Sequence, residues 1–200
     1  MIEFINLDKS EPYKKFLYFY QKAIENGQDG IEVVNISSYN LLQNEVHSRF
    51  VNLKYVRSEE WIFFSNYNSL KSEDFKSHDQ ICATFFWSKI NTQIRINAKI
   101  FKSDSVISDN HFNKREASKN ALAVSSYQSK KIKSYDDVKK NYNETLKTND
   151  LTLKRPEYWG GFSFVPYYFE FWEGHNDRIN KRQAYQLNNN RIWSKYYLQP

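Results

Sequence analysis

Two hundred residues, 40% of them hydrophobic and 26% charged, suffice for one domain with a real core and leave little room for two. The apolar runs fall far short of a membrane span, and the single cysteine, Cys82, excludes a disulfide framework or a cysteine-built zinc site within the chain. The net charge of +6 suits an anionic partner, but Lys and Arg are dispersed and the densest cluster, Lys130, Lys131 and Lys133, is short. A phosphorylated small molecule therefore ranks above nucleic acid.

Met1–Ser10 carries Glu3 and Asp8 and lacks the apolar core of a signal peptide, so the expected location is the cytoplasm. Ser10 can cap a helix of about residues 10–26, with Tyr13, Phe16, Leu17, Tyr20 and Ile24 at helical spacing and Gly27 as the stop. The period then changes. Ile31–Ile36 is a short apolar run, and Val46–Val56 and Trp61–Ser65 form a hairpin around the polar turn Arg57–Glu60. Ile81–Trp87 is another strand, with Cys82 expected to be buried in it. In Thr92–Phe101, Ile94, Ile96, Ala98 and Ile100 alternate with Gln93, Arg95, Asn97 and Lys99. A helical insert of about residues 108–147 follows. Ser108 is the expected cap of one helix; Ser134 caps another, with Asp136 and Asp137 in its first turn and Val138, Tyr142 and Leu146 on one face. Strands return at Gly160–Val165, Tyr167–Glu173, Arg182–Leu187 and Arg191–Tyr197, with a turn at Asn188–Asn190.

Aromatic residues make up 18% of the chain, which favours strands. Strands, a helical insert and strands again predict a mainly β, α+β fold: one domain over residues 1–200, an antiparallel barrel with helices packed on it. The absence of a glycine fingerprint weighs against a dinucleotide fold. No Gly-x-Ser-x-Gly elbow or His-Glu-x-x-His pair occurs. His47, His78, His111 and His175 lack metal-ligand spacing, so no metal is expected.

The C-terminal third is more specific. Trp159-Gly160-Gly161-Phe162 leads into Glu170-Phe171-Trp172-Glu173-Gly174, then Arg178-Ile179-Asn180-Lys181-Arg182, and the chain ends Leu198-Gln199-Pro200. Any one of these segments alone reads as an aromatic hairpin with a charged loop. Together and in this order they resemble the C-terminal signature of the pyridoxamine/pyridoxine 5′-phosphate oxidase family. The likeness extends back through Arg49 and Lys54, through Phe64-Ser65-Asn66 to Ser69-Leu70-Lys71, through Gln93 after Trp87, and through Gln128-Ser129.

The resemblance implies an FMN-binding split barrel that works as a homodimer with two flavin sites in the interface. It implies FMN contacts from Arg49, Lys54, Phe64, Ser65, Ser69, Lys71, Gln93, Trp172 and Arg182, with Gln128 and Ser129 reaching the flavin from the other subunit. Lys54, His111, Arg115, Lys119, Arg178 and Asn180 would face the substrate, the last two at the reacting end. The implied reaction is oxidation of pyridoxamine or pyridoxine 5′-phosphate to pyridoxal 5′-phosphate, with O2 reoxidising the flavin. The residue chemistry agrees: Arg49 and Lys71 suit a phosphate dianion, with Ser65 and Ser69 as neutral donors.

The chain departs from the family pattern at several points. Leu70 stands where the phosphate turn has Arg. His111, Arg115 and Lys119 replace Tyr, Arg and Ser; on a continuous helix they would share one face. Asn180 stands where the active-site loop has His, and Asn cannot exchange a proton near neutrality. The segment ahead of the first helix is also short for a substrate-covering arm. Three readings stay open: an oxidase with a drifted substrate pocket, a same-fold FMN enzyme acting on another small ring compound as phenazine-pathway relatives do, and a non-catalytic flavin- or pyridoxal-phosphate-binding protein.

Overall fold

In a computed structural model, which describes residues 1–147 and 154–200, the chain runs β1 (Glu3–Ile5), α1 (Glu11–Glu25), β2 (Val33–Asn40), β3 (Glu45–Arg57), β4 (Glu60–Asn66), α2 (Leu70–Ser77) and β5 (Gln80–Trp87). It continues through β6 (Thr92–Lys102), α3 (Ser105–Lys114), α4 (Ala117–Ser125), α5 (Tyr135–Lys147), β7 (Trp159–Glu173), β8 (Lys181–Leu187) and β9 (Trp193–Leu198).

Two long strands make the barrel. β3 pairs with β2 along residues 45–52 and with β4 along residues 53–57, its register shifting at Leu53/Tyr55. β7 pairs with β4 through Trp159–Phe164, with β6 along most of its length, and with β8 through Tyr168–Glu173. The ring β3-β2-β5-β6-β7-β4 closes on itself, while β8 and β9 extend outward from β7. These ladders are antiparallel; among the described residues only β1 runs parallel to its neighbour, β3. Where Gly160–Val165 and Tyr167–Glu173 were expected as two strands, β7 is one strand. The ladder skips a residue there, pairing Asn97 with Tyr168 and Ala98 with Pro166, and this bulge accommodates a proline that cannot donate to the ladder.

The barrel is filled by Ile36, Leu53, Trp61, Phe63, Phe85, Ile94, Ile96, Phe164 and Phe169, and α1 plugs it with Tyr13, Phe16, Phe19 and Tyr20. Phe16 meets Trp61 edge-on at 4.5 Å, the arrangement favoured by the ring quadrupoles. The buried face of α1 is rotated slightly from the expected one, since Phe19 and Ala23 are buried and Ile24 is exposed.

Several readings are corrected. Ser108 does not cap a helix. It lies inside α3, which Asp104 caps by accepting from Val106 N–H, and its Oγ accepts from Gly161 N–H at 3.0 Å. Ser134 does cap α5, accepting from Asp137 N–H. Cys82 is only half-buried, because its strand alternates and Cys82 lies with Gln80, Thr84 and Phe86 on the face left partly open. Among the described residues no helix is long and apolar enough to cross a membrane, and no cluster of His, Cys, Asp and Glu could hold a metal.

Candidate functional site

A cavity of about 680 Å³ lies between β3, near its register shift at Leu53/Tyr55, and the helical insert. Arg49, Asn52 and Lys54 line it from β3, Phe64 and Ser65 from β4, and Lys71 from α2. His111 and Lys114 enter from α3, Arg115, Glu116 and Lys119 from the α3–α4 corner, Gln128 from beyond α4, and Trp159 from the start of β7. Six Lys and Arg side chains face one carboxylate, Glu116, which is exposed and paired with Lys119 at 3.1 Å. Its charge suits an anion.

One end is formed where β4 runs into α2. Lys71 is 8% exposed, and its Nζ donates to Ser65 Oγ at 3.1 Å and Ser69 Oγ at 3.4 Å. Among the described residues no carboxylate pairs with it. Burial, assisted by the nearby charge of Arg49, pushes the Lys71 amine down to about 8. A buried ammonium with only hydroxyl partners is costly; a bound anion would relieve it. Ser69 stands behind Lys71, fully buried at the head of α2, its Oγ donating to Asn66 O. Gln128 Oε1 accepts from Ser65 Oγ at 3.2 Å and from Asn66 N–H at 3.3 Å. Gln128, expected to reach a flavin from the other subunit, is held in this cavity by its own chain, where the segment after α4 folds back over β4. Ser129, at φ 70°, turns out of the cavity and lines a neighbouring cleft.

The other end is a stack of flat groups. The His111 ring lies on Phe64 at 3.7 Å and 8°, and Phe64 is stacked with Trp159 at 5.5 Å. The Arg115 guanidinium sits 4.5 Å over Trp159, a cation–π contact. His111 Nδ1 is 2.8 Å from the Tyr55 hydroxyl. Burial, then the charges of Arg115, Lys54 and Lys114, push His111 down to about 4, so at neutral pH it carries no charge and offers at most one N–H. The single helix face expected for His111, Arg115 and Lys119 does not exist, since α3 ends at Lys114 and Arg115 is extended. The three still line one cavity because Asn120 ties the corner: its Nδ2 donates to Phe112 O at 2.9 Å and its Oδ1 accepts from Arg115 at 3.1 Å. Arg115 also donates to Lys119 O.

The remaining candidates lie elsewhere in the chain. Gln93, Trp172 and Arg182 form one row across β6, β7 and β8. Arg182 Nε donates to buried Glu170 at 2.7 Å and its Nη1 donates to Gln199 O at 2.9 Å; Glu170 is also paired with Arg95. Arg178 occupies the β7–β8 loop at φ 61°, and Asn180 Oδ1 accepts from His175 N–H at 3.0 Å. None of Gln93, Ser129, Trp172, Arg178, Asn180 and Arg182 lines the basic cavity of the same chain. Sequence reasoning missed Tyr55, Lys114, Asn120 and Trp159 as parts of the site. Trp159 belongs to the C-terminal signature, and its stacking role depends on the approach of α3.

The barrel and its flank of helices define a class, the split-barrel proteins related to pyridoxamine 5′-phosphate oxidase. PhzG from Burkholderia lata, solved with tetrahydrophenazine-1-carboxylic acid, superposes with a TM-score of 0.90 at 20% identity, over 96% of this chain and 93% of that one. A pyridoxamine 5′-phosphate oxidase-related, FMN binding protein from Nostoc punctiforme gives 0.78 at 9% identity, over 96% and 100%. Residues 159–200 match the pyridoxine 5′-phosphate oxidase C-terminal dimerisation region. In sequence, the pyridoxine/pyridoxamine 5′-phosphate oxidase of Cytophaga hutchinsonii is 31% identical over 191 residues, 94% of this chain and 88% of the relative. A second such oxidase, from Hydrogenovibrio crunogenus, is 29% identical over 194 residues, covering 96% and 89%. The chain belongs to the pyridoxine/pyridoxamine 5′-phosphate oxidase family.

Proposed function

We propose that the protein is an FMN-dependent oxidase that converts pyridoxamine or pyridoxine 5′-phosphate to pyridoxal 5′-phosphate. The observation that carries this reading is the basic cavity with cations at two ends, one of them a buried Lys71 that no carboxylate among the described residues neutralises. Two ends suit two phosphate-bearing molecules held side by side, one the cofactor and the other the substrate.

The residues fit FMN. Arg49 and Lys71 would hold its phosphate with Ser65 as a neutral donor, Gln128 would offer its amide to the ring, and Ser69 supports Lys71 from behind. Bound FMN supplies the hydride acceptor and its reoxidation by O2. Arg115 and Lys119 would take the substrate phosphate. Arg115 is fixed for this by Asn120 and Trp159, and a fixed guanidinium loses little freedom on binding. Neutral His111 would orient the substrate by a hydrogen bond rather than by charge. The aromatic stack presents a flat wall to a planar ring and keeps water from it. Lys54, half-exposed and 3.9 Å from Glu32, borders the same space.

The protein would act as a homodimer. Support comes from the match of residues 159–200 to a dimerisation region and from the row Gln93–Trp172–Arg182, which has no place in its own chain's cavity. On this reading the row, with Arg178 and Asn180, completes the cavity of a second copy. A second reading, an FMN enzyme acting on another small ring compound, is favoured by one feature: neither His111 nor Asn180 offers a proton-exchanging group near pH 7.

The deciding experiment is FMN titration followed by peroxide release on pyridoxamine phosphate, pyridoxine phosphate and their unphosphorylated analogues. Steady turnover of the phosphorylated pair supports the first reading. Flavin binding without that turnover, unrestored by Asn180→His, moves the assignment to another ring compound, and a folded protein that binds no flavin ends both.

A further inference from the structure

Behind the phosphate end of the cavity lies a carboxylate that the reading above does not use. Asp74 is completely buried. Its Oδ2 accepts from Ser38 Oγ at 2.6 Å and from Arg49 Nη2 at 2.9 Å. Its Oδ1 accepts from Asn40 Nδ2 at 3.1 Å and lies 3.2 Å from His47 Nδ1. These partners come from three elements. Ser38 and Asn40 are on β2, His47 and Arg49 are two residues apart on the same face of β3, and Asp74 follows Lys71 by one turn of α2. His47 is in turn held from outside by Glu45, at 3.2 Å from its Nε2.

The consequence falls on Arg49. Of its five N–H donors, Nη1 gives one to Ile36 O at 3.1 Å and one to Ser38 Oγ at 2.7 Å, and Nη2 gives one to Asp74. Among the described residues, one Nη2 hydrogen and the Nε hydrogen are left without a partner. Arg49 lines the cavity, and a two-donor fork is what a phosphate accepts. Ser38 Oγ receives from Arg49 and donates to Asp74, so the hydroxyl locks both ends of the pair. Leu70 leaves the neighbouring turn without a guanidinium, so the orientation of this one matters more.

We infer that Asp74 is a positioning residue for phosphate recognition: through Ser38 it fixes the Arg49 guanidinium so that two N–H groups stay free for the cofactor's phosphate. The inference rests on the FMN reading above. Two roles for Asp74 predict opposite signs. If the carboxylate acted only through its charge, it would repel a phosphate dianion, and Asp74→Asn would tighten FMN. If it acts by orienting Arg49, the same substitution weakens FMN although the site becomes more positive.

The test measures FMN and riboflavin dissociation constants by flavin fluorescence quenching for the full chain, Asp74→Asn, Ser38→Ala and Arg49→Gln, and for Asp74→Asn combined with Arg49→Gln. The expected result is an FMN affinity lower by about tenfold in Asp74→Asn, the scale of one charge-assisted hydrogen bond. Riboflavin, which has no phosphate, should change by less than about twofold on the same scale. Ser38→Ala, a milder change should Asp74→Asn fold poorly, should move FMN in the same direction. On the Arg49→Gln background, Asp74→Asn should add nothing. Tighter FMN binding, equal losses on both flavins, or full additivity overturns the positioning role while leaving the FMN reading intact. A folded native protein that binds neither flavin overturns both.

Discussion

Two buried charge clusters sit in this barrel, and they are solved differently. Around Glu170 the account closes within the chain: one carboxylate, 3% exposed, receives Arg182, Arg95 and the Tyr168 hydroxyl. Around Lys71 it does not close. Its neighbours are hydroxyls and another cation, and the carboxylate within reach, Asp74, is already bound by Arg49, His47, Ser38 and Asn40. A charge that is paired where it stands belongs to the fold. One left with hydroxyls alone in a buried position is a candidate for a binding site, because at neutral pH a ligand of opposite sign would relieve its desolvation.

The contrast predicts opposite outcomes for removing a charge. The largest effect is expected at Glu170→Gln, which leaves two guanidinium groups beside a neutral amide. Denaturant unfolding should show a loss of about 3–5 kcal/mol; a loss under about 1 kcal/mol, the range of exposed pairs, would mean that this cluster is solvated and the comparison is false. Lys71→Met should do the reverse, leaving stability unchanged or higher while FMN affinity falls about 10- to 100-fold. Destabilisation by Lys71→Met with FMN binding intact would place Lys71 among the structural charges.

The same lysine gives a pH dependence. Held at about 8 in the free chain, against an ordinary value near 10.5, it is destabilising as an ammonium. That penalty is present below about pH 8 and is relieved as pH rises through the window from 8 to 10.5. A bound phosphate favours the ammonium, so FMN affinity should fall as pH rises above about 8, with proton uptake on binding. Calorimetry in buffers of different ionisation enthalpy reads that uptake directly; its absence at pH 8.5–9, about where the amine titrates, would contradict the assignment.

Arg115 lies between the two kinds of cluster, being stacked and hydrogen-bonded but, among the described residues, without a carboxylate. Arg115→Ala should raise the Michaelis constant for a phosphorylated substrate by about tenfold or more and that for its unphosphorylated analogue little. Equal losses on both would mark it as support for Trp159 alone. The smallest expected effect is at His111. Its folded value of about 4 lies below the ordinary 6.5, so its neutral form contributes stability that is complete above about pH 6.5 and is lost as pH falls toward 4. His111→Phe should flatten that part of the acid unfolding curve; an unchanged curve would place the acid sensitivity elsewhere.

Much of this was legible from one dimension. The alternation of Ile94, Ile96, Ala98 and Ile100, the hairpin around Arg57–Glu60 and the helix after Ser10 are local patterns, written by the spacing of apolar side chains, and they appear where expected. The ordered C-terminal segments were enough to identify the family. Local pattern could not reveal that β7 is continuous through Pro166, because the bulge that allows it depends on β6 opposite. Nor could it show the break at Arg115, since the cross-tie that holds the corner comes from Asn120, and the helical period runs on through it. Asp74 was invisible for the same reason: an Asp in a polar helix reads as solvated until β2 and β3 close over it.

The sequence by itself determined the alternation that makes the strands, the family, and the kinds of charge available to a site. Which of those charges are neutralised was decided only when the chain closed. Closure depends on contacts far apart in the chain, such as Arg49 with Asp74 and Ser65 with Gln128, and the desolvation that separates a structural charge from one awaiting a ligand exists only in the packed state.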